Sequence, residues 1–206
     1  MLKRKIEDTL LQWKNSAEHK PLVIMGIRQC GKTFIARHFA AAHYKSVVYI
    51  NFIKQPVRVN AFVGSKAVDD ILLNLSTQIK GVTFTPGDTC FIFDEIQDCP
   101  EARTSLKFFK EDGRFDVIAT GSLLGVQGYG DKKKKKKRRK LVGQKEPGIN
   151  SVPVGSEEII EMYPLDFEEF LWANGISTEV IDALGKFYRE ETPVLAGIHV
   201  AMKRLL

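Results

Sequence analysis

Gly26-Ile27-Arg28-Gln29-Cys30-Gly31-Lys32-Thr33 restricts the local fold more tightly than any other stretch of the chain. It matches the pattern G-x-x-x-x-G-K-[ST] at every fixed position. Such a loop works between a buried strand and the first turn of a helix. There its backbone N–H groups converge on phosphate oxygens and the helix N-terminus adds partial positive charge. Both neighbours are present. Pro21-Leu22-Val23-Ile24-Met25 is a short apolar run suited to a buried parallel strand. Phe34 to His43 reads as a helix, with Phe34, Ile35, Phe39 and Ala42 available for one face. The expected cradle is Gly26, Ile27, Arg28, Gln29, Cys30, Gly31, Lys32, Thr33 and Phe34. Lys32 would reach the β- and γ-phosphates of a nucleotide, and the Thr33 hydroxyl would coordinate Mg²⁺. A plain glycine turn at a strand–helix junction is the structural alternative.

Cys90-Phe91-Ile92-Phe93-Asp94-Glu95 supplies the second half of the expected site. Four apolar residues end in adjacent carboxylates. A buried strand would carry them to the carboxyl edge of a sheet, where open α/β folds bind ligands. Asp94 would hold the metal, directly or through water. Glu95 is the candidate for activating an attacking water. An acidic N-cap is the structural alternative, since Pro100-Glu101 soon opens a further helix. Phe115 to Ser122 is another strand ending in small polar residues. By resemblance to phosphate-loop ATPases whose second motif ends in Asp-Glu, Thr120 or Ser122 would contact the γ-phosphate or help position water. A polar turn leading out of a buried strand is the equal alternative.

Five candidate strands alternate with helical segments: Leu22–Met25, Val47–Asn51, Cys90–Asp94, Asp116–Thr120 and Glu157–Met162. That alternation predicts an α/β fold with a parallel sheet covered on both sides. Met1 to Lys20 reads as an amphipathic helix with Ile6, Leu10 and Trp13 on one face. Segments 166–173, 178–190 and 194–206 also read as helical. No apolar run approaches the roughly 20 residues of a membrane span. The basic start lacks an apolar signal core. The three cysteines show no metal-ligand spacing, so a reduced, cytoplasmic setting is expected. Cys30 is either an oxidisable group beside the phosphates or simply a small residue that fits the loop.

The net charge of +6 is a local feature. Lys132 to Lys140 is an unbroken run of nine basic residues, and the rest of the chain is net acidic. Glycines and Pro147 surround the run from Gln127 to Asn150, which reads as a flexible surface loop. Such a run can bind nucleic acid through phosphate contacts, without base stacking because it holds no aromatic residue. A solvated loop is the other reading.

The chain resembles AAA-type ATPases of bacteria and archaea that join an N-terminal phosphate-loop domain to a C-terminal domain of unknown function. The resemblance rests on Gly26 to Thr33, Tyr49-Ile50-Asn51-Phe52, Asp94-Glu95-Ile96-Gln97 and Ser105-Leu106-Lys107-Phe108-Phe109. It continues through Gly121-Ser122-Leu123-Leu124-Gly125 and Tyr163-Pro164-Leu165-Asp166-Phe167-Glu168-Glu169-Phe170-Leu171. It implies a three-layer P-loop NTPase with sheet order 5-1-4-3-2, ATP as nucleotide, and Ser122 as the polar residue beside the γ-phosphate. Residues 1–175 would be the ATPase domain and 176–206 a helical segment leading to a C-terminal domain absent from this chain. Segment 127–150 departs from the family pattern as an insertion. The expected activity is Mg²⁺-dependent ATP hydrolysis, with Lys32, Glu95 and Ser122 catalytic and Thr33 and Asp94 on the metal. A homo-oligomer would supply a trans arginine, for which Arg103 and Arg114 are candidates. A nucleotide-gated switch or a DNA-associated scaffold with little hydrolysis is the alternative. A small-molecule kinase ranks last, for want of an acceptor pocket or arginine-rich lid. No guanine-reading Asn-Lys-x-Asp string is present, which favours adenine.

Overall fold

A computed structural model describes residues 2–122 and 155–205. The basic run Lys132–Lys140 and its proposed loop lie outside the described residues. The elements, in chain order, are α1 (Ile6–Asn15), β1 (Leu22–Gly26), α2 (Lys32–His43), β2 (Ser46–Asn51), α3 (Val68–Gln78), β3 (Thr89–Asp94), α4 (Pro100–Asp112), β4 (Asp116–Ser122), β5 (Glu158–Met162), α5 (Phe167–Ala173), α6 (Thr178–Arg189) and α7 (Ala196–Lys203). Short 3-10 turns occupy Pro56–Phe62 and Ile96–Asp98. The chain separates into two compact bodies. One runs from Trp13 to Met162; the other joins residues 1–12 to residues 163–206.

The larger body is a five-stranded parallel sheet in the order β2-β3-β4-β1-β5. This is the expected 5-1-4-3-2 order read from the other edge. Every residue of β1 and β3 is buried, and both strands carry an unbroken apolar run, residues 22–25 and 90–93, rather than an alternating pattern.

On one face α3, α4 and the 56–62 turn close over a phenylalanine cluster. Phe52, Phe62, Phe91, Phe93 and Phe109 pack with ring centroids between 5.2 and 6.1 Å apart. Burying each side chain stabilises the fold by about 1.5–3 kcal/mol. Helix α4 begins with Pro100 and ends at Gly113, whose φ of 68° is readily reached only without a Cβ.

Helix α2 covers the other face. Its buried residues are Lys32, Ile35, Ala36, Phe39 and Ala40, a stripe at i, i+3, i+4, i+7 and i+8. This corrects the expected face. Phe34 and Ala42 point outward, and Phe34, 61% exposed, stacks on His38 instead. The phase of the helix is set by Lys32, which must turn inward to the loop, and Phe34 falls off the stripe that follows.

In the smaller body, α5 starts with a capping box. The Asp166 carboxylate accepts from the Glu169 N–H, and the Glu169 carboxylate accepts from the Asp166 N–H. Lys5 pairs with Asp166 and Glu168, and Arg4 with Glu169. Lys3 lies 4.4 Å over the Trp172 ring. A largely apolar cavity of about 830 Å³ opens between α5, α6 and α7, lined by Phe167, Phe170, Leu184, Phe187 and Met202.

Candidate active site

Gly26 closes β1 with no room for a side chain. A Cβ there would lie 2.2 Å from the Met162 carbonyl oxygen on β5 and 3.0 Å from Cys30 Sγ. The loop then turns through Gln29 at φ 65° and Gly31 at φ 98°, left-handed conformations that aim successive N–H groups to one side. Gly31 caps α2, so the loop opens directly into a helix N-terminus. Lys32 is buried, and its Nζ donates to the carbonyls of Gly26 at 3.0 Å and Ile27 at 2.6 Å. Its charge therefore sits inside the loop. The Cys30 thiol donates to the Met162 carbonyl at 3.4 Å and serves to pack the loop against β5.

The sheet register brings the second half of the site to the first. Asn51 stands opposite Asp94 across β2 and β3. Phe93 stands opposite Ala119, which carries Asp94 alongside Thr120. Thr33 Oγ1 donates to Asp94 Oδ1 at 2.8 Å, joining the loop to the carboxylate 61 residues later. Thr120 Oγ1 donates to the same oxygen. Tyr49 OH and Asn51 Nδ2 donate to Asp94 Oδ2 at 2.6 and 2.7 Å. Burial pushes the Asp94 carboxyl up, but the hydrogen bonds from Thr120, Tyr49, Thr33 and Asn51 outweigh it and hold the group below the usual carboxylate range. Burial and the bond to Asp94 raise Tyr49, which stays a donor.

Glu95 follows at φ 58°, a left-handed position unusual for a residue with a side chain. Gln97 Nε2 donates to Glu95 Oε2 at 2.6 Å. Ser122 is buried and lies opposite Gly26 across β4 and β1. The polar ends of β4 thus divide. Thr120 sits on Asp94, and Ser122 sits beside the start of the loop.

Arg103 does not fit the trans-arginine expectation. It is buried, and its guanidinium pairs with the Glu157 carboxylate at 2.6 Å within the same body. Arg114 is held by Asp69 and Asp112. Both guanidiniums are engaged inside their own chain.

A model of the AAA domain matches residues 18–171, three quarters of the chain. The chain belongs to the AAA-domain family. It is an AAA-type nucleotide-binding protein, and the matched segment contains the loop, the Asp94-Glu95 pair, and Thr120 and Ser122 at the end of β4. No curated protein matches the sequence. Among solved structures, C. elegans PCH-2 is similar at 11% identity with a TM-score of 0.37, over 85% of this chain and 42% of that one. The chain thus spans less than half the length of that structure. Among the described residues no helix is long and apolar enough to cross a membrane.

Two residues of the family member's site escaped sequence reasoning as donors, Tyr49 and Asn51. They stand two apart on one strand and so share a face, which the period of a strand allows one to read. Their partner is fixed only by the register of β2 against β3.

Proposed function

We propose that the chain binds ATP at residues 26–34 and hydrolyses its β–γ bond with Mg²⁺, in a cytoplasmic setting. The observation that carries this reading is the Thr33–Asp94 hydrogen bond, which sets a hydroxyl and a carboxylate oxygen side by side at a helix N-terminus. The residues fit the ion. Mg²⁺ takes oxygen ligands, keeps several waters and needs only one or two protein groups beside substrate phosphates. Thr33 and Asp94 would hold it, and when bound it would neutralise charge on the phosphate oxygens.

The loop fits the phosphates for the same kind of reason. A Cβ at Gly26 would collide with β5, and Gln29 and Gly31 hold the positive φ values from which anion-binding turns of backbone amides are built. Lys32 would exchange the carbonyls of Gly26 and Ile27 for phosphate oxygens. Glu95 takes a proton from the attacking water as its oxygen bonds to the γ-phosphorus and the bond to the bridging oxygen breaks. Ser122 helps place that water, and Thr120 steadies Asp94. Completion of the site by a neighbouring copy requires an arginine other than Arg103.

Turnover tests the reading. Wild type is expected to release phosphate only with Mg²⁺, and Glu95→Gln is expected to lose at least 100-fold in kcat while still binding ATP. Equal turnover by wild type and Glu95→Gln would overturn the assignment of Glu95.

A further inference from the structure

We propose that Gln97 is a positioning residue that fixes the Glu95 carboxylate for water activation; this rests on the hydrolytic reading above. Glu95 needs such a device. Its backbone lies in the left-handed region, at the junction between β3 and the Ile96–Asp98 turn. The turn is closed by the Asp98 N–H donating to the Glu95 carbonyl at 3.0 Å, and it sets Gln97 two residues beyond the carboxylate it serves.

The amide orientation follows from chemistry. Gln97 Nε2 lies 2.6 Å from Glu95 Oε2 and 3.1 Å from Asp98 Oδ2. Two carboxylates only accept, so the NH₂ group must face both, one hydrogen to each. The amide therefore bridges Glu95 and Asp98 and occupies one oxygen of Glu95, leaving the other for water. The opposite end of the amide is Gln97 Oε1, buried and without a hydrogen-bond partner among the described residues. An orphaned buried acceptor costs free energy. That cost is explained if the side chain is held here for what its NH₂ group does rather than for its own satisfaction.

A residue acting only through Glu95 gives a distinctive pattern. Gln97→Met keeps the length of the side chain and removes the donors. It is expected to lower kcat at least 10-fold with KM for ATP within 2-fold of wild type. In a Glu95→Gln background the same change should have no further effect, because the group it positions no longer takes the proton. A merely structural role would lower both backgrounds alike. Gln97→Glu, which sets a carboxylate against a carboxylate, should lower kcat at least as much as Gln97→Met and covers the case where one variant fails to fold. A second readout needs no turnover. In the nucleotide-free protein, the Gln97 side-chain NH₂ signals in a nitrogen–proton correlation spectrum should move on Glu95→Ala. Loss of kcat confined to the Glu95 background, together with that shift, supports the proposal. Wild-type kcat in Gln97→Met alongside an inactive Glu95→Gln overturns it and leaves the hydrolytic reading standing. Equal turnover by wild type and Glu95→Gln overturns both.

Discussion

Asp94 accepts from Thr33, Tyr49, Asn51 and Thr120, so its ionised form is the one the fold holds. A carboxyl held below its ordinary value stabilises the folded state fully above that value, 3.8, and loses the contribution as pH falls further. Asp94→Ala is therefore expected to lower Tm at pH 7, and the gap to wild type should narrow below pH 3.8 in a calorimetric series. Tyr49→Phe removes one of the four donors and should cost about 1 kcal/mol. Gly26→Ala is the sharper residue-scale test, since backbone rather than a flexible side chain meets the new methyl group. It should cost about 1–3 kcal/mol, read as a lowered urea midpoint. The loop, Lys32, Asp94 and Glu95 were legible because each belongs to a short contiguous pattern. The donors Tyr49 and Asn51 were not, because their role depends on which strand lies next to β2. Gln97 stood in a quoted motif, but no spacing rule says that a side chain two residues on folds back to its neighbour.

Elements carry these residues to one edge of the sheet. β1, β3 and β4 end together because β4 lies between β3 and β1 in a parallel sheet, and the loop, the carboxylates and Thr120 follow from that order. The strands were readable within a residue or two, since buried parallel strands are apolar runs bounded by turns. The face of α2 was not, because helical periodicity gives a stripe without its phase. Lys32 at the first turn settles that phase and leaves Phe34 outside. Arg103 shows the same limit. As a letter it was a candidate for a neighbour's site, whereas α4 and the approach to β5 bury it against Glu157, 54 positions away in sequence. Arg103→Ala should destabilise the chain by about 3 kcal/mol, since it strips a buried carboxylate of its cation. Urea unfolding measures this, and unchanged stability with lost turnover would point instead to a role at a neighbour's nucleotide.

For the whole molecule, ligand binding and stability are linked. On the proposed function, ATP with Mg²⁺ is expected to bind the folded sheet and not the unfolded chain, which at 100 times its dissociation constant would add about 2.7 kcal/mol. That corresponds to a rise in Tm of about 5–10 °C for a chain of this size. Family membership was legible because its strings recur in order along the sequence. The division of the chain into two bodies was not, since residues 1–12 join residues 163–206 through pairs such as Arg4 with Glu169 that no local pattern announces. The central claim is that the loop and the Asp94 carboxylate form one nucleotide site. Calorimetric titration of ATP into wild type and Lys32→Ala, with and without Mg²⁺, tests it most directly. One site per chain, tightened by Mg²⁺ and lost in Lys32→Ala, is the predicted result. Binding that ignores both Mg²⁺ and the lysine would contradict it.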